Sequence, residues 1–171
     1  QTGYIDSYVL HGPESYYGWS SSDREIWEAM EGFYQEGKAK LLGVSNVNFE
    51  QLSLLWQSAK IKPSFVQNRC FAKTQWDKQV RQFCNENGII YQGFSLLTGN
   101  QAYLQSETVQ KVAEELEMTV SQVIFRFALD VNMIPITGTT NESHMKSDLE
   151  IYHFQLNAAQ IDAIEKVALV C

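Results

Sequence analysis

The chain contains no Cys-x-x-Cys, no G-x-G-x-x-G, no Walker motif and no cluster of Lys or Arg. Each absence removes a class of function. Without the two glycine-rich fingerprints, the standard dinucleotide and nucleoside-triphosphate loops are excluded. A formal net charge of −7 with no basic cluster points away from nucleic acid and anionic membrane as partners. No apolar run approaches the roughly 18 residues that span a bilayer, and the start carries no signal-peptide pattern. Cysteine is scarce: Cys70, Cys84 and Cys171 are unevenly spaced, which predicts a reduced, cytoplasmic setting. His144 and His153 share no metal-ligand spacing with each other or with any Cys, so they read as surface histidines and no metal is expected.

What is present is an ordinary globular composition, with 44% hydrophobic and 19% charged residues in 171 positions. That suits one domain with a substantial core, taken as 1–171. Lys40-Leu41-Leu42-Gly43-Val44-Ser45-Asn46 is an apolar run without alternation, broken by a polar pair just before an amphipathic stretch. It reads as a strand buried on both faces and feeding a helix. The pattern recurs in Tyr4 to His11, in Ser64 to Asn68, in Ile89 to Ser95 and in Met133 to Ile136. Helices are expected between them. Ser22 with Glu25, Asn48 with Gln51, and Thr119 with Gln122 have capping-box spacing, Ser106 and Asn157 read as further N-caps, and Thr74 is read as another start. Ile26, Trp27, Met30, Phe33 and Tyr34 would form the inner face of the first helix. The fold class is therefore α/β with five parallel strands and flanking helices. Two architectures remain open: a complete doubly wound sheet, or the larger part of an eight-stranded barrel.

In either architecture the site belongs at the strand C-termini. His11 ends the first strand and serves either as a catalytic or orienting group or as a hydrogen-bonded structural histidine. Ser45, Asn46, Gln67, Asn68 and Ser95 are turn or cap residues taken singly; several at one rim can converge on a polar ligand. Gly138-Thr139-Thr140-Asn141 is either a phosphate-binding turn or ordinary helix capping. Tyr16, Tyr17 and Trp19 line an apolar substrate pocket or pack over the rim. No Ser-His-Asp or Cys-His pair can be argued from spacing.

Taken together, the strand ends resemble the aldo-keto reductase family. Tyr4 to Pro13 resembles its fourth barrel strand, Leu42-Gly43-Val44-Ser45-Asn46 with Phe49 its fifth, and Val66-Gln67-Asn68 its sixth. Gly93-Phe94-Ser95-Leu96-Leu97 resembles the seventh, and Gly138 to Asn141 the phosphate loop after the eighth. The resemblance implies a partial (β/α)8 TIM barrel, the fourth to eighth βα units, of an enzyme reducing aldehydes or ketones to alcohols with NADP(H). By resemblance His11 would orient the substrate carbonyl, while Ser45, Asn46 and Gln67 would hold the nicotinamide carboxamide. Phe94 stands where the family usually has a Tyr against the nicotinamide ring, and Ser95 and Leu97 would approach the pyrophosphate. Thr139, Thr140 and Asn141 would meet the 2′-phosphate. His144 falls near a position that is often Arg, and Asp148 near one that is often an adenine-contacting Asn. Without that Arg, NAD(H) remains the alternative cofactor.

The family's catalytic Asp, Tyr and Lys belong to the first three βα units, and this sequence resembles the family from the fourth onward. A chain that begins with Gln and enters a strand at once reads as processed or as a fragment. The implied enzyme acts on a small carbonyl or alcohol, and this chain alone is expected to be inactive or nearly so. Two other readings stand beside it: a non-catalytic, cofactor-responsive or partner-binding half barrel, and a gene fragment without independent function. Open sheet edges in such a piece invite self-association.

Overall fold

The computed structural model describes Thr2 to Leu169; Gln1, Val170 and Cys171, the last of the three cysteines, lie outside the described residues. Five strands form one sheet: β1 (Ile5–Leu10), β2 (Ala39–Ser45), β3 (Phe65–Arg69), β4 (Ile90–Phe94) and β5 (Met133–Ile136). The helices are α1 (Ser21–Gln35), α2 (Phe49–Ser58), α3 (Lys78–Glu86), α4 (Gln101–Leu104), α5 (Glu107–Leu116), α6 (Val120–Asp130), α7 (Glu142–Leu149) and α8 (Ala158–Glu165). Short 3-10 turns occupy Ala72–Thr74, Glu150–His153 and Val167–Leu169.

Strand order decides between the two architectures. The sheet runs β1-β2-β3-β4-β5, with a parallel register that sets Tyr8 opposite Leu42 and Val44 opposite Val66. An open doubly wound sheet reverses its strand order at a switch point, whereas an unbroken sequence with right-handed crossovers keeps all helices on one face, as in a barrel wall. The chain is a partial (β/α)8 barrel. Among the described residues, β1 and β5 each have a strand neighbour on one side only.

By proximity of its backbone the chain forms two compact units, 1–68 with 79–91 and 69–78 with 92–171. In the first, Leu42, Val44, Leu52, Leu55 and Val66 are fully buried, and Phe65 packs over Gly43. Burying a Leu or Val side chain contributes roughly 1.5–3 kcal/mol. In the second, the rings of Trp76 and Phe127 lie 5.4 Å apart, and Ile124, Val109, Val112, Ile164 and Val167 are buried as well.

Three sequence-based expectations are corrected. The first helix begins after Ser20 rather than at Ser22. Ser20 Oγ accepts from Asp23 N–H at 3.0 Å, and Asp23 Oδ2 accepts from Ser20 N–H at 2.9 Å. Asp23 Oδ1 also accepts from Glu14 N–H at 2.8 Å, so one buried carboxylate fastens both helix and preceding loop, which the exposed Glu25 does not do.

The inward face of α1 is also different. It is Asp23, Trp27, Met30 and Glu31, while Ile26, Phe33 and Tyr34 are exposed. Glu31 is buried because its Oε1 accepts from Lys60 and Ile61 N–H at 2.7 and 2.9 Å, and Trp27 Nε1 donates to Ile61 O. Backbone groups that need partners draw charged side chains inward here.

No helix starts at Thr74. Gln75, Trp76 and Asp77 adopt left-handed conformations with φ of 52°, 56° and 59°, which delays α3 to Lys78. Trp76 is thereby turned fully inward. The boxes at Asn48–Gln51 and Thr119–Gln122 and the caps at Ser106 and Asn157 form as expected.

Candidate functional site

In the first unit, β2 ends at Ser45 and the backbone turns away at Asn46, whose φ is 56°. Asn tolerates this left-handed conformation better than most residues. Ser45 Oγ donates to Gln67 O at 2.5 Å, and Asn46 N–H donates to the same carbonyl at 3.2 Å. Asn46 Nδ2 donates to His11 O at 2.8 Å and to Ser45 Oγ at 3.1 Å. The ends of β1, β2 and β3 are thus tied together by short polar side chains. His11, Ser45, Asn46 and Gln67 are brought to one rim, with the imidazole of His11 exposed.

Both Nδ2 hydrogens of Asn46 are engaged within the protein, and the Ser45 hydroxyl hydrogen points at a carbonyl. What remains on both side chains is acceptor capacity, on Asn46 Oδ1 and on the one Ser45 lone pair that Asn46 Nδ2 does not use. Such a pair suits the –NH₂ group of a carboxamide.

The loop after β1 is held over the same unit. Asn48 Nδ2 donates to Tyr16 O at 3.0 Å and Gln51 Nε2 donates to Ser15 O at 2.8 Å. The two capping-box residues of α2 therefore also anchor the loop. Sequence reasoning placed the box and missed this second use; the free second hydrogen-bonding atom on each side chain is the signal for it. Tyr16 and Tyr17 are exposed and meet edge-to-face at 5.0 Å. Trp19 is not with them: it is buried and lines a cavity of about 180 Å³ with Trp27, Arg24 and Glu31 of α1.

In the second unit, Phe94 is half-buried and the guanidinium of Arg69 lies 5.6 Å from its ring centroid. Ser95 leaves β4 in the left-handed conformation, with φ of 58°. The buried Asn100, which sequence reasoning did not single out, organises this loop. Its Nδ2 donates to Cys70 O and Leu96 O, both at 2.9 Å, and its Oδ1 accepts from Ala72 N–H at 2.7 Å. Its own N–H donates to Leu97 O at 3.1 Å. Gly99 N–H donates to Ser95 O, and a Cβ on Gly99 would come within 2.8 Å of that oxygen. Ser95 and Leu97 are thus fixed by one side chain and one close turn.

Thr139 to Asn141 precede α7. Asn141 Oδ1 accepts from Ser143 N–H and Oγ, so capping is the observed role of that side chain, and Thr139 Oγ1 accepts from Asn141 N–H at 3.1 Å. Thr140 and His144 are exposed, and Asp148 is half-buried one turn beyond His144. Among the described residues, no group of three or more His, Cys, Asp or Glu is placed to hold a metal, and no helix is long and apolar enough to cross a membrane.

Comparison with known proteins agrees with this architecture. The family model described as the aldo/keto reductase family matches residues 1–169. Glyoxal reductase from Bacillus subtilis (strain 168) is 30% identical over 167 residues, covering 96% of this chain and 57% of that protein. An NADPH-dependent alpha-keto amide reductase of Saccharomyces cerevisiae is 28% identical over 180 residues, covering 98% of the chain and 57% of that protein. A crystal structure of an aldo/keto reductase from Brucella melitensis superposes with a TM-score of 0.83 at 28% identity, covering 97% of this chain and 61% of that one. The chain spans little more than half the length of these curated relatives. The family match runs from the first strand to the last helix, and the chain belongs to the aldo/keto reductase family.

Proposed function

We propose that this chain forms the cofactor-binding side of an NADP(H)-dependent carbonyl reductase. The observation that carries this reading is the rim built by His11, Ser45, Asn46 and Gln67, whose spare acceptors on Ser45 and Asn46 complement a carboxamide –NH₂. Reduced nicotinamide supplies a hydride when bound. Ser45, Asn46 and Gln67 orient its ring through the carboxamide, and Phe94 offers an aromatic face. Ser95 and Leu97 approach the pyrophosphate, held by Asn100. Thr139, Thr140, Asn141 and His144 meet the 2′-phosphate, with Asp148 near the adenine. A preference for NADPH follows the name of the yeast relative, and the absence of an Arg at His144 leaves NADH as a second cofactor.

The substrate is a small aldehyde or ketone. The exposed His11 imidazole orients its carbonyl, with Tyr16 and Tyr17 in the adjoining loop. A positioned general acid is worth about 10² to 10⁴ in rate, and no Tyr in this sequence matches the family's acid motif. This chain by itself therefore binds cofactor with little or no turnover. The buried thiols of Cys70 and Cys84 suit a reduced, cytoplasmic setting.

Titration of the purified chain with NADPH, following Trp quenching and reduced-nicotinamide emission beside an assay with a generic aldehyde, tests this. Saturable binding without turnover is the expected result. Absence of binding by a folded chain would overturn the cofactor assignment, and turnover would overturn the missing-acid part.

A second reading, partner binding or self-association through the β1 edge, is favoured by the exposure of Ile5 to Tyr8 along that strand. Light scattering across a concentration series distinguishes it: a monomer at every concentration removes the self-association reading.

A further inference from the structure

We infer that Asn68 is the positioning residue of the carboxamide-binding rim, acting through the backbone of Val47. The inference deepens the proposed function and rests on it. Pairing between β2 and β3 ends with Ser45 opposite Gln67, because the chain turns left-handed at Asn46. Val47 is then buried, at 3% exposure, beyond the reach of regular ladder bonds. Asn68, itself 5% exposed, takes over the pairing with its side chain. Its Oδ1 accepts from Val47 N–H at 3.1 Å, and its Nδ2 donates to Val47 C=O at 2.7 Å. A carboxamide meeting both polar groups of one residue imitates the peptide of a neighbouring strand.

The consequence falls on Asn46. It is held on one side by Ser45, whose hydroxyl is fixed to Gln67 O, and on the other by Val47, fixed to Asn68. With both neighbours pinned, the left-handed conformation at Asn46 is over-determined, and its Nδ2 stays on His11 O and Ser45 Oγ. That leaves Asn46 Oδ1 presented outward. An apolar residue at 68 would fill the same space but leave Val47 N–H and C=O buried and unpaired, and Val47 and Asn46 would move to satisfy them. Asn68 is buried with both polar atoms of its side chain on Val47, so it acts on the binding group through the backbone.

The test uses Asn68→Leu and Asn68→Asp in the same chain, with three readouts: NADPH affinity, affinity for 2′,5′-ADP, which lacks the nicotinamide half, and hydrogen exchange at Val47 N–H. In Asn68→Leu, NADPH binding weakens about tenfold, the scale of one lost neutral hydrogen bond, while 2′,5′-ADP binding stays within twofold. Val47 exchange accelerates. Asn68→Asp keeps the acceptor for Val47 N–H but sets a second oxygen against the Val47 carbonyl, so NADPH binding weakens there as well, and this polar variant carries the test if Asn68→Leu does not fold. NADPH affinity unchanged in both variants despite faster Val47 exchange would overturn the positioning role. Equal weakening of NADPH and 2′,5′-ADP would also overturn it, since that marks a general loss of fold. Failure of the unsubstituted chain to bind NADPH is a separate result that overturns the proposed function, and this inference with it.

Discussion

The indole Nε1–H of Trp76 donates to the carbonyl oxygen of Ile164 at 2.9 Å, joining positions 88 residues apart in the sequence. Both residues are fully buried, and the contact ties α8 to the turn that precedes α3. Three successive left-handed residues are kept in place at that turn because the buried ring and its hydrogen bond more than offset their conformational cost.

Replacement of Trp76 by Phe keeps an aromatic ring against Phe127 and removes the indole donor to the Ile164 carbonyl, which also accepts from Lys166 N–H. A loss of about 0.5–1.5 kcal/mol is expected, measured by urea denaturation. Trp76→Ala should cost more, about 3–5 kcal/mol, because a cavity is added. Equal losses for the two variants would mean that ring volume contributes nothing at this site.

Two capping boxes with the same design should respond differently to alanine. Thr119→Ala removes a cap alone, at about 1 kcal/mol. Asn48→Ala removes a cap and also the bond from Nδ2 to Tyr16 O, so it should cost more and also loosen the loop bearing Tyr16 and Tyr17. Limited proteolysis in that loop checks the second effect: cleavage should accelerate in Asn48→Ala and not in Thr119→Ala.

Two glycines inside strands also separate by what surrounds them. A Cβ at Gly43 would lie 2.2 Å from the ring of Phe65, and one at Gly93 would lie 2.2 Å from Sδ of Met133. A thioether side chain swings aside more readily than a buried ring held on a neighbouring strand. Gly43→Ala should therefore destabilise by about 1–3 kcal/mol and Gly93→Ala by less, read from thermal midpoints. The reverse order would show that the Phe65 ring has room to move.

The strands were legible in the sequence because apolar runs ending in polar pairs are local signals, and β2 shows this most clearly with Leu42 and Val44 fully buried. The N-caps at Asn48, Ser106, Thr119 and Asn157 were legible for the same reason, since a cap bonds within three residues of itself. At the start of α1 two overlapping cap patterns compete, Ser22 with Glu25 and Ser20 with Asp23. The bond from Asp23 to Glu14 N–H that decides between them joins positions nine apart. The inward face of α1 was misread because Glu31 is buried by bonds to Lys60 and Ile61, about 30 positions away.

The residue types at the rim, His11, Ser45, Asn46 and Gln67, could be read from the sequence as strand-end polar groups, and the family could be read from their order. Local periodicity and spacing determined that much. Strand order, and with it the choice of barrel over open sheet, was decided only in the tertiary structure, because it depends on which strand pairs with which. So were the clamp of Asn68 on Val47 and the hub of Asn100 under Ser95 and Leu97. A lone Asn in a sequence has four hydrogen-bonding sites and no stated partner; which backbone groups lie unpaired beside it is settled only when distant segments meet.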